Sequence, residues 1–505
     1  MSDQPRPLPG QPSLRYLKLE ARRRLAAGEF ATLHDAQLAI AREHGQPSWT
    51  ALKQLIESRL ETLGRQALTQ LRWVISRFGG ADEPGWSAPA DGELSEHFTD
   101  RFLGSEKART MVTVLSRVAA RLREELVVTQ DDPLNARARV GGIQFEADAE
   151  AGPPHRLHDF RAYPVGSRVT DARVAAPPTS SSGAVPAAAA EAAARGFDEL
   201  GLTGVVLAGG APDGAGWVIA RDWADLDRAE PLRPGHRFPA YGVTRLTTAT
   251  AVLRLVAEGR VRLDVPANDH LRAVRLADGA VTVRELLSYA GGVDTPAPGS
   301  EYADTVPTLA SLFGPVLPCS GPRGTARPGG HGDYAALGQL IADVTGSDYA
   351  EAVARLVLGP LGMTGSTFPA SWPHDDPDAV TGYELEPDGT FLPGLDDVAT
   401  MPAAAGLWTT AADLVTFGTE WSSLLPDGLA GEALRPQAAE ETGPGQAGLG
   451  WRLNTARGFA YQVGVGPGGS SSLIVKPGVS SAYVALTNRK VNIAPLNVRV
   501  FLQDS

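Results

Sequence analysis

The stretch Tyr241-Gly242-Val243-Thr244-Arg245 opens a helix-forming run and holds several groups able to do chemistry. Behind it Leu246, Ala249, Leu253, Val256 and Ala257 recur at helical spacing, and Gly259 closes the run. An apolar strand end, a tight turn and a buried helix together present a group at a helix N-terminus, where free N–H groups favour developing negative charge. The groups offered here are a phenol at Tyr241, a hydroxyl at Thr244 and a guanidinium at Arg245. An arginine stays protonated at any usable pH, so Arg245 can clamp an anion but cannot accept a proton. No lysine lies between Lys107 and Lys476 to replace it. Other candidate nucleophiles are Ser288, Ser320 and Cys319, and one imidazole, His331, sits in the Gly-rich run Arg327-Pro-Gly-Gly-His-Gly-Asp333. That run reads as a flexible loop, with Asp333 as N-cap of the helix that follows.

The rest of the composition narrows the class. The chain has 505 residues, enough for two to four domains, and is 43% hydrophobic and 21% charged, a globular balance. A formal net charge of −12 argues against nucleic acid as a partner, which needs a basic face. Cys319 is the single cysteine, so no internal disulfide can form, which suits a reducing compartment. The N-terminus shows no basic segment followed by an apolar run, and no apolar stretch approaches ~20 residues. A cytoplasmic protein without a membrane partner is expected. No two histidines share ligand spacing on a helix, and His155 and His158 sit in a Pro-rich strand entry, so neither a metal nor a cofactor is expected.

In chain order, residues 1–63 read as a short all-helical module. Leu14, Leu17 and Ala21 form one stripe and Ala36, Ile40 and Ala41 a second; a third helix follows Ser48, a possible cap. Residues 64–172 read as an α+β unit, with a helix from about 65 to 78, further helical stretches over 93–102 and 108–122, then four strand-like runs between 125 and 164. Residues 173–186 read as a Pro/Ser/Ala-rich linker, and a third unit occupies 187–505.

The run from Leu33 to Lys53 resembles a small helical module found ahead of ankyrin-like repeats in bacteria, which implies docking of a protein partner or a second copy. Residues 64–172 weakly resemble a steroid-isomerase-like (NTF2-like) domain. The third unit carries more specific landmarks. These include Gly259-Arg-Val-Arg-Leu-Asp264, Val281-Thr-Val-Arg-Glu-Leu-Leu-Ser-Tyr289, Tyr334 to Gly346, Gly359-Pro-Leu-Gly-Met-Thr-Gly365, Gly406-Leu-Trp-Thr-Thr410, Gly448-Leu-Gly-Trp451 and Ser471 to Asn488. In order and spacing this part resembles the serine β-lactamase and penicillin-binding-protein group. The resemblance implies an α+β fold: an antiparallel sheet flanked by helices, a helical lobe, and a site in the groove between them.

The same resemblance locates the catalytic positions, and each is altered. The Ser-x-x-Lys that opens the family's helix reads Gly242-Val243-Thr244-Arg245. The Tyr-x-Asn position reads Gly329-Gly330-His331, the Leu-Leu-Ser-His position ends in Tyr289, and the final-strand motif reads Gln462-Val463-Gly464. Loss of a nucleophile alone costs roughly a million-fold in a serine protease. The groove is then expected to hold Arg245, His331 and Tyr241 as acting groups, with Gly242, Tyr289, Gln462 and Gly464 as binding positions. Three functions fit. One is a repurposed, non-hydrolytic enzyme acting on a small carboxylate- or carbonyl-bearing molecule by proton transfer, isomerisation or cyclisation, with His331 as base. A second is a catalytically inactive binder of a ligand or partner. A third is hydrolysis through an unconventional nucleophile such as Ser288, Ser320 or Cys319.

Overall fold

The computed structural model describes residues 14–26, 28–55, 65–81, 83, 85–104, 111, 115, 119–132, 134–140, 143–150, 152–164, 178–211, 216–226, 228–295, 302–303, 305–327, 329–371, 376–385, 391–393, 398–440 and 445–504. The chain divides into two compact units, Met1–Gly166 and Ser167–Ser505.

In the first unit, α1 (Leu14–Ala26) and α2 (Leu33–Glu43) share a small core of Leu17, Ala21, Ala36, Ile40, Ala41 and Leu52. Thr32 caps α2 by accepting from the Asp35 N–H, and the Ser48 hydroxyl accepts from the Ala51 N–H at 3.1 Å, the capping role its position predicts. The further residues expected on the third helix, Ile56 and Leu60, lie outside the described residues. A second core lies under α3 (Gln66–Phe78), whose Leu68, Leu71, Val74, Ile75 and Phe78 face an antiparallel sheet. That sheet runs in chain order: β1 (Val127–Asp132), β2 (Asn135–Val140), β3 (Ile143–Ala149) and β4 (Leu157–Pro164). Alternation buries Ala136, Ala138 and Val140 of β2 while Arg137 and Arg139 stay outside. The four strands fall where the sequence predicts them; most of 108–122 lies outside the described residues.

The second unit is built on one antiparallel sheet. From its interior to one edge it runs β8 (Phe459–Gly466), β9 (Gly469–Lys476), β10 (Ser481–Thr487), β6 (Gly204–Gly210), β7 (Trp217–Asp225) and β5 (Thr179–Ser182). Short strands at 438–439, 446–447 and 452–454 extend it beyond β8. Strand β5 lies inside the stretch read as linker. Its Thr-Ser-Ser-Ser sequence is polar, but its backbone pairs with β7 from Thr179↔Arg221 to Ser182↔Val218.

Both faces of the sheet are covered, which explains the continuous apolar run Val205-Val-Leu-Ala208 in β6. Val205 and Leu207 face α4 (Ala187–Leu200) and α8 (Ala494–Asp504) through Ala189, Ala193, Leu496 and Phe501. Val206 and Ala208 face the larger core. That core includes α5 (Thr244–Ala257), α6 (His331–Thr345) and α7 (Ala411–Glu420).

Helix α5 is not the amphipathic helix its spacing suggests. Every residue from Thr244 to Leu253 is buried, and Ala257, expected inward, is exposed. Its threonines go inside because each hydroxyl finds a partner: Thr247 donates to the Thr244 carbonyl, Thr250 to Leu246 and Thr248 to Ala403, at 2.7–2.8 Å, and Thr244 accepts from the Leu407 N–H at 3.1 Å. Among the described residues no helix is long and apolar enough to cross a membrane, and no cluster of His, Cys, Asp and Glu could hold a metal ion.

Candidate ligand-binding site

The chain enters α5 from a two-residue strand, Phe238–Pro239, through a tight turn at Tyr241–Val243. Tyr241 has φ +43°, a left-handed conformation that costs an L-residue roughly 1–2 kcal/mol. Two contacts hold it. Its hydroxyl donates to the Pro467 carbonyl, and its ring lies over Gly466 and Gly469, where a Cβ would meet it. The turn rests on β8 with no gap. A Cβ at Gly464 would fall 2.5 Å from both the Ala240 carbonyl and the Gly242 nitrogen, and a Cβ at Gly242 would run into the Val463 carbonyl oxygen.

A cleft of about 340 Å³ opens beside this turn. Tyr241, Gly242, Arg245, His331, Gln462 and Gly464 all line it, so six of the seven sequence-predicted site residues meet there. The seventh, Tyr289, is fully buried and does not line the cleft. Its ring stacks on Tyr334 with centroids 5.0 Å apart, and the Arg245 guanidinium lies 5.9 Å and 5.8 Å from the two ring centres. Arg452, which sequence reasoning missed, lies 5.0 Å from the Tyr289 ring and also lines the cleft. The only signal for it was its place directly after the Gly448-Leu-Gly-Trp451 landmark.

Arg245 is 5% exposed and makes no ion pair with any described carboxylate. Its Nη2 donates to His331 Nε2 at 3.2 Å, and its Nε finds no hydrogen-bond partner. Burial pulls its pKa down. Two aromatic faces contribute about 2 kcal/mol each when desolvated, while desolvating a cation costs several kcal/mol. The charge is therefore left incompletely compensated. Arg452 differs: it is ion-paired with Glu440, and both side chains are largely buried.

His331 is the first residue of α6, not a loop residue. Gly329 and Gly330 before it have φ +91° and +51°, and a Cβ at Gly330 would strike the Tyr289 ring. Burial and the neighbouring Arg245 charge push His331 down to about 3. It is neutral, and its Nε2 lone pair already accepts from Arg245. The expectation of a base titrating near neutrality is not met. Tyr241 is no free donor either, since its hydroxyl is committed to Pro467 and burial raises its pKa well above the usual value. Gln462 is an inner-strand residue, 2% exposed, whose Nε2 donates to the Tyr289 hydroxyl at 2.6 Å and to the Gly450 carbonyl at 3.3 Å.

Asp333 is not an N-cap. It lies within the first turn of α6, and its two oxygens accept from the Gly291 and Val293 N–H groups at 3.1 and 3.0 Å. Burial raises its pKa to about 7 against the pull of those two bonds. The alternative nucleophiles lie off the cleft wall. Ser288 donates to the Arg284 carbonyl, Ser320 to the Asp294 carboxylate, and Cys319 is half-buried with its thiol pushed up by burial.

An antiparallel sheet flanked by helices, with a cleft at the start of α5, defines a β-lactamase-like unit. Comparison with known proteins agrees on the family. The Beta-lactamase family model matches residues 190–503, and the chain belongs to that family. It is 31% identical over 280 residues to Esterase EstB of Burkholderia gladioli, a match spanning 45% of this chain and 69% of the esterase. It is 23% identical over 175 residues to the putative penicillin-binding protein PbpX of Bacillus subtilis (strain 168), of which it spans 42%. Among solved structures, a penicillin binding protein from Bacillus halodurans aligns with a TM-score of 0.53 and 20% identity, over 61% of this chain and 97% of that one. At that identity the likeness shows the fold.

Proposed function

We propose that the second unit is a ligand-binding module that captures a small anion in the old catalytic cleft and does not hydrolyse it. The observation carrying this reading is Arg245, a buried guanidinium without a carboxylate partner, on the wall of an open cleft. A ligand carboxylate would supply the missing counter-charge, and charge-assisted bonds to arginine are the strong class of hydrogen bond. Hydrolysis is disfavoured because Gly242 offers no nucleophile and no base stands near it. Proton-transfer chemistry is disfavoured because His331 is a weak base whose acceptor nitrogen is occupied.

The test has two arms, both on the full chain. Calorimetric titration with acetate is expected to give saturable binding that Arg245→Met abolishes. Labelling with a fluorophosphonate, mass-mapped beside an active serine hydrolase, is expected to give no adduct. An adduct on any serine would restore a hydrolase, and equal acetate binding by the variant would remove Arg245 from the reading.

A further inference from the structure

His331 lines the cleft with a donor that no described residue accepts. Its Nε2 lies 3.2 Å from Arg245 Nη2. A guanidinium can only donate, so Nε2 is the acceptor nitrogen. Burial and the Arg245 charge push the imidazole down to about 3, so the ring is neutral near pH 7. A neutral imidazole carries one N–H, and with Nε2 accepting, that proton sits on Nδ1. Nδ1 has no hydrogen-bond partner among the described residues, and unlike Arg245 Nε it is not shut off from solvent. Gly329, another lining residue, leaves it uncovered: a Cβ there would sit 3.5 Å from Nδ1. Neighbouring polar groups on the wall are committed. The Tyr241 hydroxyl donates to Pro467, the Gln462 amide to Tyr289 and Gly450, and Arg452 pairs with Glu440.

The two nitrogens of an imidazole point apart. The Nδ1–H therefore faces away from the atoms that Arg245 would hold, and a second acceptor on the ligand must meet it. We infer that His331 is a second binding residue of the cleft and that the ligand class is an oxocarboxylate, its carboxylate on Arg245 and a separate carbonyl oxygen on His331 Nδ1–H. This inference rests on the anion-binding reading above. The cleft, about 340 Å³, has room beyond a bare carboxylate.

The experiment is calorimetry on the full chain with pentanoate and 4-oxopentanoate, a pair that differs by one ketone, repeated on His331→Met and His331→Gln. The unmodified protein is expected to bind 4-oxopentanoate about fivefold tighter, the worth of one neutral hydrogen bond. His331→Met loses the Arg245 contact for both ligands alike, so the ratio of the two affinities is the readout, and it is expected to fall to about one. His331→Gln offers a carbonyl to Arg245 and an N–H to the ligand, and is expected to keep most of the preference. Nitrogen-15 spectra of the histidines in the unmodified protein, with His331→Gln assigning the signal, are expected to show the Nδ1–H tautomer and a shift of that resonance on saturation with 4-oxopentanoate. Equal affinities in the unmodified protein, a preference that survives in His331→Met, or an Nδ1 signal that 4-oxopentanoate leaves unmoved would overturn the His331 contact, and pentanoate binding would then leave the anion reading intact. Failure of both carboxylates to bind would sink that reading and this inference with it.

Discussion

The carbonyl oxygen of Val463 occupies the space into which any side chain at Gly242 would project. Strand β8 packs directly on the turn, with Gly464 against Ala240 and Gly242. A hydroxyl-bearing side chain placed here therefore meets backbone, which cannot swing aside as a long side chain would. Gly242→Ser and Gly242→Ala are expected to destabilise the protein alike, by about 1–3 kcal/mol, the usual cost of overpacking. Chemical denaturation measures it. Fluorophosphonate labelling of Gly242→Ser is expected to stay at background, and a stoichiometric adduct at position 242 would show that the cleft still accommodates a nucleophile.

Arg245 separates stability from binding. A buried cation that lacks a carboxylate partner is an unfavourable element of the fold, and replacing such charges by apolar groups of similar volume is often neutral or stabilising. Arg245→Met is expected to leave the thermal midpoint unchanged or raised while acetate binding is lost. If the guanidinium were instead a structural clamp on His331 and the two tyrosines, the same variant would lower the midpoint by several degrees, as a loss of 1–2 kcal/mol does in a domain of this size.

Asp333 and His331 lie in the same turn of α6 and respond to pH with opposite sign. The folded-state pKa of Asp333 is raised from 3.8 to about 7, so its neutral form is the favoured one and its contribution is lost as pH rises from about 4 through 7. The folded-state pKa of His331 is lowered from 6.5 to about 3, so its contribution is full above about 6.5 and is lost as pH falls toward 3. Each effect is on the order of a few kcal/mol, and across pH 4–6.5 they oppose one another. Relative to the unmodified protein, Asp333→Asn is expected to gain stability progressively from pH 4 to 8. His331→Gln is expected to gain it progressively from pH 6.5 down to 4. Urea midpoints across that range provide the check, and parallel curves for all three proteins would refute the opposition.

Much of the second unit was legible because its landmarks are local. Helix starts, Gly-Gly turns and strand runs are written in consecutive residues, and Gly242 and Arg245 can be read off single positions. What was not legible came from contacts between distant segments. Nothing around Gly242 announces the Val463 carbonyl, because a backbone atom leaves no mark in side-chain pattern. The all-round burial of α5 was hidden by its threonines, which read as polar until their hydroxyls are seen on carbonyls. His331 read as a loop residue because glycines precede it, yet Gly330 is where a Cβ would strike the Tyr289 ring at the start of a helix. Strand β5 read as linker because an edge strand held through its backbone needs no apolar residue.

The Tyr241 hydroxyl is the remaining group on which binding and packing give different forecasts. Tyr241 is a lining residue of the cleft, but its hydroxyl hydrogen goes to the Pro467 carbonyl, and its ring closes over Gly466 and Gly469 while the backbone is held at φ +43°. Tyr241→Phe keeps the ring and leaves the Pro467 oxygen unpaired, at a cost of about 1–3 kcal/mol. It is expected to lower stability by that amount and to change acetate affinity by no more than about twofold, since a committed donor offers little to a ligand. Tyr241→Gly removes the strain and the ring together. The lost burial of a large aromatic, about 3–5 kcal/mol, outweighs the roughly 1–2 kcal/mol of relieved strain, so a net loss is expected. Paired denaturation and calorimetry on the two variants decide the matter. A tenfold fall in acetate affinity for Tyr241→Phe with unchanged stability would make the hydroxyl a ligand donor and the Pro467 bond its resting position.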